Sequence, residues 1–487
     1  MVSVGVKQIR FLDGAVANIP PAGLAVIVGP NNGGKSVLLG EIAQSLERGS
    51  PFAPAEWVSG VELERTGSPA ELEEWFRLRA RLAPDGEAYG GQLVIGDAME
   101  GPRLTLNKCL LYWQGANGLG PLASHFAGFH DAMSRANLLQ IAEARNPMIS
   151  ARSPLHRVWD DRELEAHLAR LTRRALGFDV SINRYAQQLE LLMGKPTRPD
   201  ETLPPSPALL EEYARLRVVR DQGDGIRSFV GLLLAFLASG NCITMIDDPE
   251  VFLHPPQARS LGRFLAQESP PTTTQVLIAT HSEDLLEGVL EGAADREVTI
   301  IRISSTRTSG IRKKNALPAE RVKTVWTDPL LRYSRLLDGL FHQGVVVCEA
   351  DGDCRLYEAA LDAHLAARAE HDLVFTHVGG KDRLPLALAE LNRLALPAAV
   401  IAGLEVLDDQ RMVAALVEAG GGDPASVLDD LQRDAPAAAE QVLGYLRSLG
   451  IFLVPAAGAP APAGALEPSP DLATLLDQVA AHFGIAS

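Results

Sequence analysis

Leu24 to Val28 is an unbroken apolar run rich in β-branched residues, the pattern of a strand buried on both faces. Glycine and asparagine follow, and then Val37, Leu38, Leu39 and Leu46 recur at helical spacing. The order is therefore strand, glycine loop, helix. Further buried strands are expected at Cys242 to Ile246, Val276 to Ala279 and Val298 to Ile303. Ala70 to Leu82 reads as helix and Gln92 to Ile95 as strand. Charges and leucines (Leu164, Leu168, Leu171) predict helix across 150–176, and alternation from Phe178 to Met193 predicts a hairpin. Leu209 to Ala238 reads as helix interrupted at Gly223-Asp224-Gly225, and Tyr333 to Leu340 as a helix closing a first domain. From Gly344 the pattern changes. Strands at Gly344 to Cys348, Leu373 to His377 and Ala398 to Ile401 alternate with helices at Arg355 to Ala367 and Leu384 to Leu394. Such alternation means a parallel sheet with crossovers, so the fold class is α/β. Residues 454–470 are an Ala/Pro-rich extended stretch ahead of a last helix, Leu472 to Phe483.

Composition narrows the function. With 487 residues, 46% hydrophobic and 22% charged, the chain has the balance of a globular protein of two or three domains. A net charge of −16 argues against coating nucleic acid through bulk charge. The segment with Arg302, Arg307, Arg312, Lys313 and Lys314 could touch phosphates locally, though a solvated loop is the plainer reading. Four cysteines without a CxxC pair point to reduced thiols rather than zinc or disulfides. The N-terminus has no signal-like apolar core, and the longest apolar run, Phe229 to Ala238, is too short to span a bilayer. The expectation is a cytoplasmic protein without a membrane partner.

Gly29-Pro30-Asn31-Asn32-Gly33-Gly34-Lys35-Ser36 fits GxxxxGK[ST] between a strand and a helix. There, backbone N–H groups turn onto phosphate oxygens, Lys35 reaches the β- and γ-phosphates, and the Ser36 hydroxyl can hold Mg²⁺. Ile243 to Asp247 is an apolar strand ending in acids, continued by Asp248, Pro249 and Glu250. Adjacent acids at the end of a buried strand are costly without a cation. Asp247 is expected to hold Mg²⁺ through water and Asp248 to orient the attacking water, with Glu250 the next carboxylate in line. His281, in Thr280-His281-Ser282 after the next strand, stands where it can contact the γ-phosphate.

Taken together, the GPNNGGKS loop, the Asp247-Asp248-Pro249-Glu250 strand end, Phe252-Leu253-His254-Pro255 and Ala279-Thr280-His281-Ser282 resemble the ABC-type ATPases of the SMC/RecF/OLD group. The resemblance implies an ABC-type head over residues 1–340, with a helical dimerisation insert at about 130–210. It implies two heads sandwiching ATP, a signature loop from one head facing the nucleotide of the other, and a homodimer or higher oligomer. Gly223, Asp224 and Gly225 occupy the signature position, without the usual serine. Gln92 and Gln114 are candidates for the Q-loop glutamine. The pattern usually has Glu where this chain has Asp248, whose carboxylate is one methylene shorter, so slow hydrolysis is expected.

Residues 341–487 resemble a smaller, parallel-sheet Toprim domain. Val345 to Cys348 followed by Glu349 and Asp353 is similar to its first motif, but the expected Asp-x-Asp is replaced by Gly403-Leu404-Glu405. The resemblance implies that Glu349, Asp353 and Glu405 hold at most one metal ion, and Glu467 is a further candidate acid. A head followed by Toprim is the layout of OLD-family nucleases. The expected function is an ATP- and Mg²⁺-using, OLD-like protein acting on DNA or another nucleic acid in anti-phage defence. The alternative is an ATP-gated sensor or scaffold with an inactive Toprim domain that recruits an effector from a neighbouring gene.

Overall fold

The computed structural model describes residues 2–485 except 21–22, 84, 87–88, 97–101, 148–150, 152, 199–203, 240, 269–273, 294–295, 306–311, 319–321, 323–334, 366–370, 428–435 and 455–469. Glu467, Arg307 and Tyr333 lie outside the described residues. The chain divides into two compact units, Met1–Ile27 with Lys35–Ile300, and Val28–Gly34 with Ile301–Ser487.

In the first unit, β1 (Ser3–Phe11) pairs antiparallel with β3 (Val58–Thr66). The strand β2 (Leu24–Val28) belongs to a parallel array with β4 (Ala127–His130), β7 (Ile243–Asp247) and β8 (Gln275–Ala279). The order is β4, β7, β8, β2. β2 and β8 are buried throughout, as continuous apolar runs in a parallel sheet require. The Gln275 side chain fixes the antiparallel layer by donating to Val6 O and Pro20 O and accepting from Val6 N. Helix α1 (Lys35–Arg48) buries Leu38, Leu39, Ile42 and Leu46. Its buried Glu41 accepts the N–H groups of Glu56, Trp57 and Val58, which ties α1 to the start of β3. A buried carboxylate is tolerable because these donors replace water.

The expected hairpin forms: β5 (Val180–Ile182) pairs antiparallel with β6 (Leu191–Met193). Helix α2 (Pro69–Arg79) covers most of the helix expected at Ala70 to Leu82, and the segment 130–210 is mixed, holding helices α3 (Ala132–Asn137) and α4 (Arg162–Leu176) as well as that hairpin. The single helix read from Leu209 is broken more deeply than expected. A helix ends at Arg215, and α5 (Asp224–Ser239) starts at the glycine pair itself. Two helices, α6 (Pro255–Glu268) and α7 (Glu283–Gly292), follow β7 and β8 as crossovers. Among the described residues no helix is long and apolar enough to cross a membrane.

The second unit has a four-stranded parallel sheet in the order β10 (Leu373–His377), β9 (Gly344–Cys348), β11 (Ala398–Gly403), β12 (Ile451–Val454). Helices α8 (Asp351–Leu365), α9 (Leu384–Arg393), α10 (Gln410–Ala419), α11 (Pro436–Ser448) and α12 (Pro470–His482) accompany it. Val346, Cys348, Leu361, Phe375, Ile401, Phe452, Leu476 and Val479 share one core. Arg302 does not belong to a phosphate-facing patch. It is buried, donates to His342 O at 2.6 Å, and burial pulls its guanidinium down to about 10.

Candidate nucleotide site

The glycine loop turns as the spacing requires. Gly29 has φ +153°, Asn32 +60° and Gly34 +91°, and Gly33 N donates to Pro30 O at 3.0 Å. A side chain at Gly29 is impossible, because a Cβ there would stand 2.0 Å from Ile303 O. The loop hands over to α1 at Lys35, which is buried, and Ser36, which is exposed.

Ser36 Oγ donates to Asp247 Oδ1 at 3.0 Å. Burial pushes the Asp247 carboxyl above its ordinary range, the Ser36 bond opposes this, and the charge of Asp248 adds to the rise. A hydroxyl and a carboxylate at the end of a buried strand form the hard-oxygen donor set that suits Mg²⁺. The residues present therefore fit the ion.

Next to Asp247 the chain bends sharply. Asp248 has φ +43°, and its N–H donates to Ala279 O at 2.9 Å. Its Oδ1 lies 3.0 Å from His281 Nδ1, which is also 3.2 Å from Glu250 Oε1. The hydrogen bond to Asp248 is the main cause that raises the His281 pKa. Glu250 is buried, and Oε1 accepts from Thr280 Oγ1 at 2.6 Å and from His281 N at 2.9 Å. Burial pushes the Glu250 carboxyl up. Among the described residues, Asp248, Glu250 and His281 are the one set of three or more His, Cys, Asp or Glu side chains whose ligand atoms come within 4.8 Å of one another. This arrangement can hold a water or a cation against an acid and a histidine.

An open cavity of about 530 Å³ adjoins these acids, lined among others by Asp131, Met133, Asp224, Arg227, Asp247 and Asp248. Asp224 stands in the first turn of α5. Gly225 has no room for a side chain, since a Cβ would lie 2.7 Å from Phe252 O. Neither Gln92 nor Gln114 is among the residues that line this cavity. Gln92 is exposed beside a short antiparallel strand, and Gln114 is exposed at the end of the helix Leu106–Gln114. The strand next to β7 is instead β4, and His130 is its register partner of Ile246. Asp131 follows His130, and beyond it Arg135 bonds the strand end. Neither this strand nor Arg135 is legible in the sequence, because Ala127-Gly128-Phe129-His130 carries no β-branched residue and a lone arginine has the pattern of a solvent-exposed residue.

In the second unit the candidate acids are engaged by main chain. Glu349 Oε1 accepts from Gly403 N at 2.8 Å, and Asp353 Oδ2 accepts from Ala350 N at 3.1 Å. Glu405 is exposed. Among the described residues these three acids do not form a three-ligand cluster, although the Glu405 carboxyl folds back over Gly403, whose N–H Glu349 accepts.

A family model described as "AAA domain, putative AbiEii toxin, Type IV TA system" matches residues 126–287, which hold β4, β7, β8 and His281. The chain carries a P-loop ATPase domain. Its fold is mixed α/β with parallel sheets. No curated protein matches the chain. Among solved structures it is similar to the Smc head domain with an extended coiled coil bound to the C-terminal domain of ScpA from Pyrococcus furiosus. That match has 12% identity over 66% of this chain and 98% of the other, with TM-score 0.38. It is similar also to the SMC head domain from Thermotoga maritima, at 16% identity over 65% and 98%, TM-score 0.31. A third is cbiO1 from Clostridium perfringens, part of the ABC transporter complex cbiONQ, at 12% identity over 61% and 83%, TM-score 0.29.

Proposed function

We propose that this chain is an OLD-like ATPase that binds ATP with Mg²⁺, hydrolyses it slowly, and acts on nucleic acid in bacterial anti-phage defence. The observation that carries the ATPase reading is the 3.0 Å contact between Ser36 and Asp247, beside the Asp248–His281 contact. Main-chain N–H groups of Gly29 to Gly34, with Asn31 and Asn32 in the turn, bind the phosphates, and Lys35 neutralises them. Ser36 and Asp247 hold Mg²⁺, which supplies positive charge against the phosphates when bound. Asp248 orients the attacking water and draws its proton toward Oδ1, while His281 steadies that carboxylate. Glu250 positions His281 through its backbone N–H. Gly223, Asp224 and Gly225 serve as a divergent signature loop facing the nucleotide of a second head, so the active form is a homodimer or a higher oligomer. Residues 1–340 form the head and 341–487 a Toprim-like domain.

A second reading is favoured by the second unit. Glu349 and Asp353 spend a carboxylate oxygen each on main-chain N–H groups. That supports a sensor or scaffold whose Toprim-like domain recruits an effector from a neighbouring gene. The deciding experiment measures ATP hydrolysis and plasmid cleavage by the purified chain with and without DNA. ATP turnover stimulated by DNA supports the first reading. Turnover indifferent to nucleic acid, with no cleavage, supports the second. No ATP binding at all overturns both.

A further inference from the structure

Arg135 is the largest fully buried side chain of the protein's described residues, at 0% exposure. A buried guanidinium normally meets a carboxylate. This one meets backbone instead. Nη1 donates to Asp247 O at 2.8 Å and to His130 O at 3.1 Å, and Nη2 donates to Asp248 O at 3.0 Å. Its short helix α3 is capped by Asp131, which accepts from Ser134 N at 2.7 Å, and is pressed onto α5, where a Cβ at Gly231 would lie 2.3 Å from Arg135 O. The side chain is therefore held from both ends. Burial pulls its pKa down, and the neighbouring charges of Glu250, Asp131, Asp247 and Asp248 oppose that pull.

Two consequences follow from this placement. The carbonyls of Asp247 and Asp248 flank the point where the chain enters the left-handed region, a conformation non-glycine residues adopt at a cost. A rigid planar fork that holds both carbonyls fixes that bend, and a lysine cannot reproduce it. The same fork places a permanent positive charge beside acids that would repel one another without a cation. We infer that Arg135 is a positioning residue of the ATPase site, which sets the Asp247–Asp248 main chain and stands as a built-in counter-charge competing with Mg²⁺. The inference rests on the ATPase reading for its catalytic half only. The counter-charge half is tested without nucleotide.

The full chain is compared with Arg135→Met, which removes charge and fork, and Arg135→Lys, which keeps the charge alone. Thermal unfolding is followed against MgCl₂ at constant ionic strength, without nucleotide. In Arg135→Met the apparent Mg²⁺ affinity should tighten by about tenfold, because a nearby positive charge is gone. In Arg135→Lys it should stay near that of the parent. Turnover of Mg²⁺-ATP should fall at least about tenfold in both variants, with KM little changed, because the fork is lost in both. Should Arg135→Met fail to fold in metal-free buffer, Mg²⁺ alone should restore its circular dichroism. A merely structural arginine predicts weaker or unchanged Mg²⁺ response in Arg135→Met, and either result overturns the inference. Absence of turnover in the parent, with the Mg²⁺ effect present, overturns the ATPase reading and leaves the counter-charge standing.

Discussion

At Asp248 a single side chain carries the proposed chemistry on an unusual backbone. Its φ of +43° lies where Asn is tolerated nearly as well as Asp, so Asp248→Asn should fold normally. It removes the carboxylate charge and the basic oxygen, while an amide oxygen can still face His281 Nδ1. Turnover should then drop about a hundredfold or more while ATP affinity holds, measured by single-turnover hydrolysis beside calorimetry. Asp248→Glu should raise turnover, because the longer arm advances the carboxylate, at a stability cost of about 1 kcal/mol for a larger residue in the left-handed region. If Asp248→Asn turns over like the parent, the base is another group, with Glu250 next in line. Lys35→Ala tests an independent contact. It should abolish ATP binding in calorimetry without altering the melting temperature appreciably, and undiminished affinity would remove the phosphate-loop assignment.

Among elements, those legible in the sequence share one property. Leu24–Val28, Ile243–Asp247 and Gln275–Ala279 are apolar on both faces and are followed by glycine, acid or Thr-His, so their type and their chemistry were visible together. Gly344–Cys348 and Leu373–His377 were equally clear. The strand Ala127–His130 was hidden, because an edge strand of four residues with a glycine has too little pattern to read, and its partner β7 lies more than a hundred residues away. Arg135 was hidden for the same reason, since burial is a tertiary fact. This strand also carries a pH dependence. His130 is buried, and burial pulls its pKa down to about 4, helped by Arg135 and opposed by Asp131. The folded value lies below the unfolded one, so the unfolded state binds the proton more readily between them. His130 therefore favours folding fully above about pH 6.5 and progressively less as pH falls toward 4. Between pH 7 and pH 5 the loss is about 2 kcal/mol. Trp75 and Trp113 both contact Phe126 beside this strand, so tryptophan fluorescence reports its unfolding. The parent should lose that stability at pH 5 and His130→Gln should not. Equal pH dependence of the two proteins would show that His130 titrates normally.

At the scale of the whole molecule the open question is whether ATP use is joined to cutting in the same chain, and we predict weak or absent nuclease activity. Phosphodiester cleavage needs a metal-activated water and a stabilised leaving oxygen, and Mg²⁺ is usually held by one or two carboxylates plus phosphate. Losing one acid therefore removes a large share of the protein's hold on the ion. Here Glu349 accepts the N–H of Gly403, and Gly403 itself offers no acid. Glu405 partly fills the gap. Its carboxyl folds back over Gly403, so that a Cβ built there would lie 2.2 Å from Oε2 and 2.5 Å from Oε1. The space next to Glu349 is thus occupied by a carboxylate reaching from two residues further on. Gly403→Asp alone must displace that side chain and should gain little. Gly403→Asp combined with Glu405→Asp shortens the intruder and restores an acid at the strand end, so it should raise Mg²⁺-dependent plasmid nicking above the parent. Glu349→Ala in the double variant should return nicking to background. The opposite finding, robust Mg²⁺-dependent cutting by the parent that Glu349→Ala abolishes, would mean that Glu405 alone replaces the missing acid and that the domain is a working nuclease.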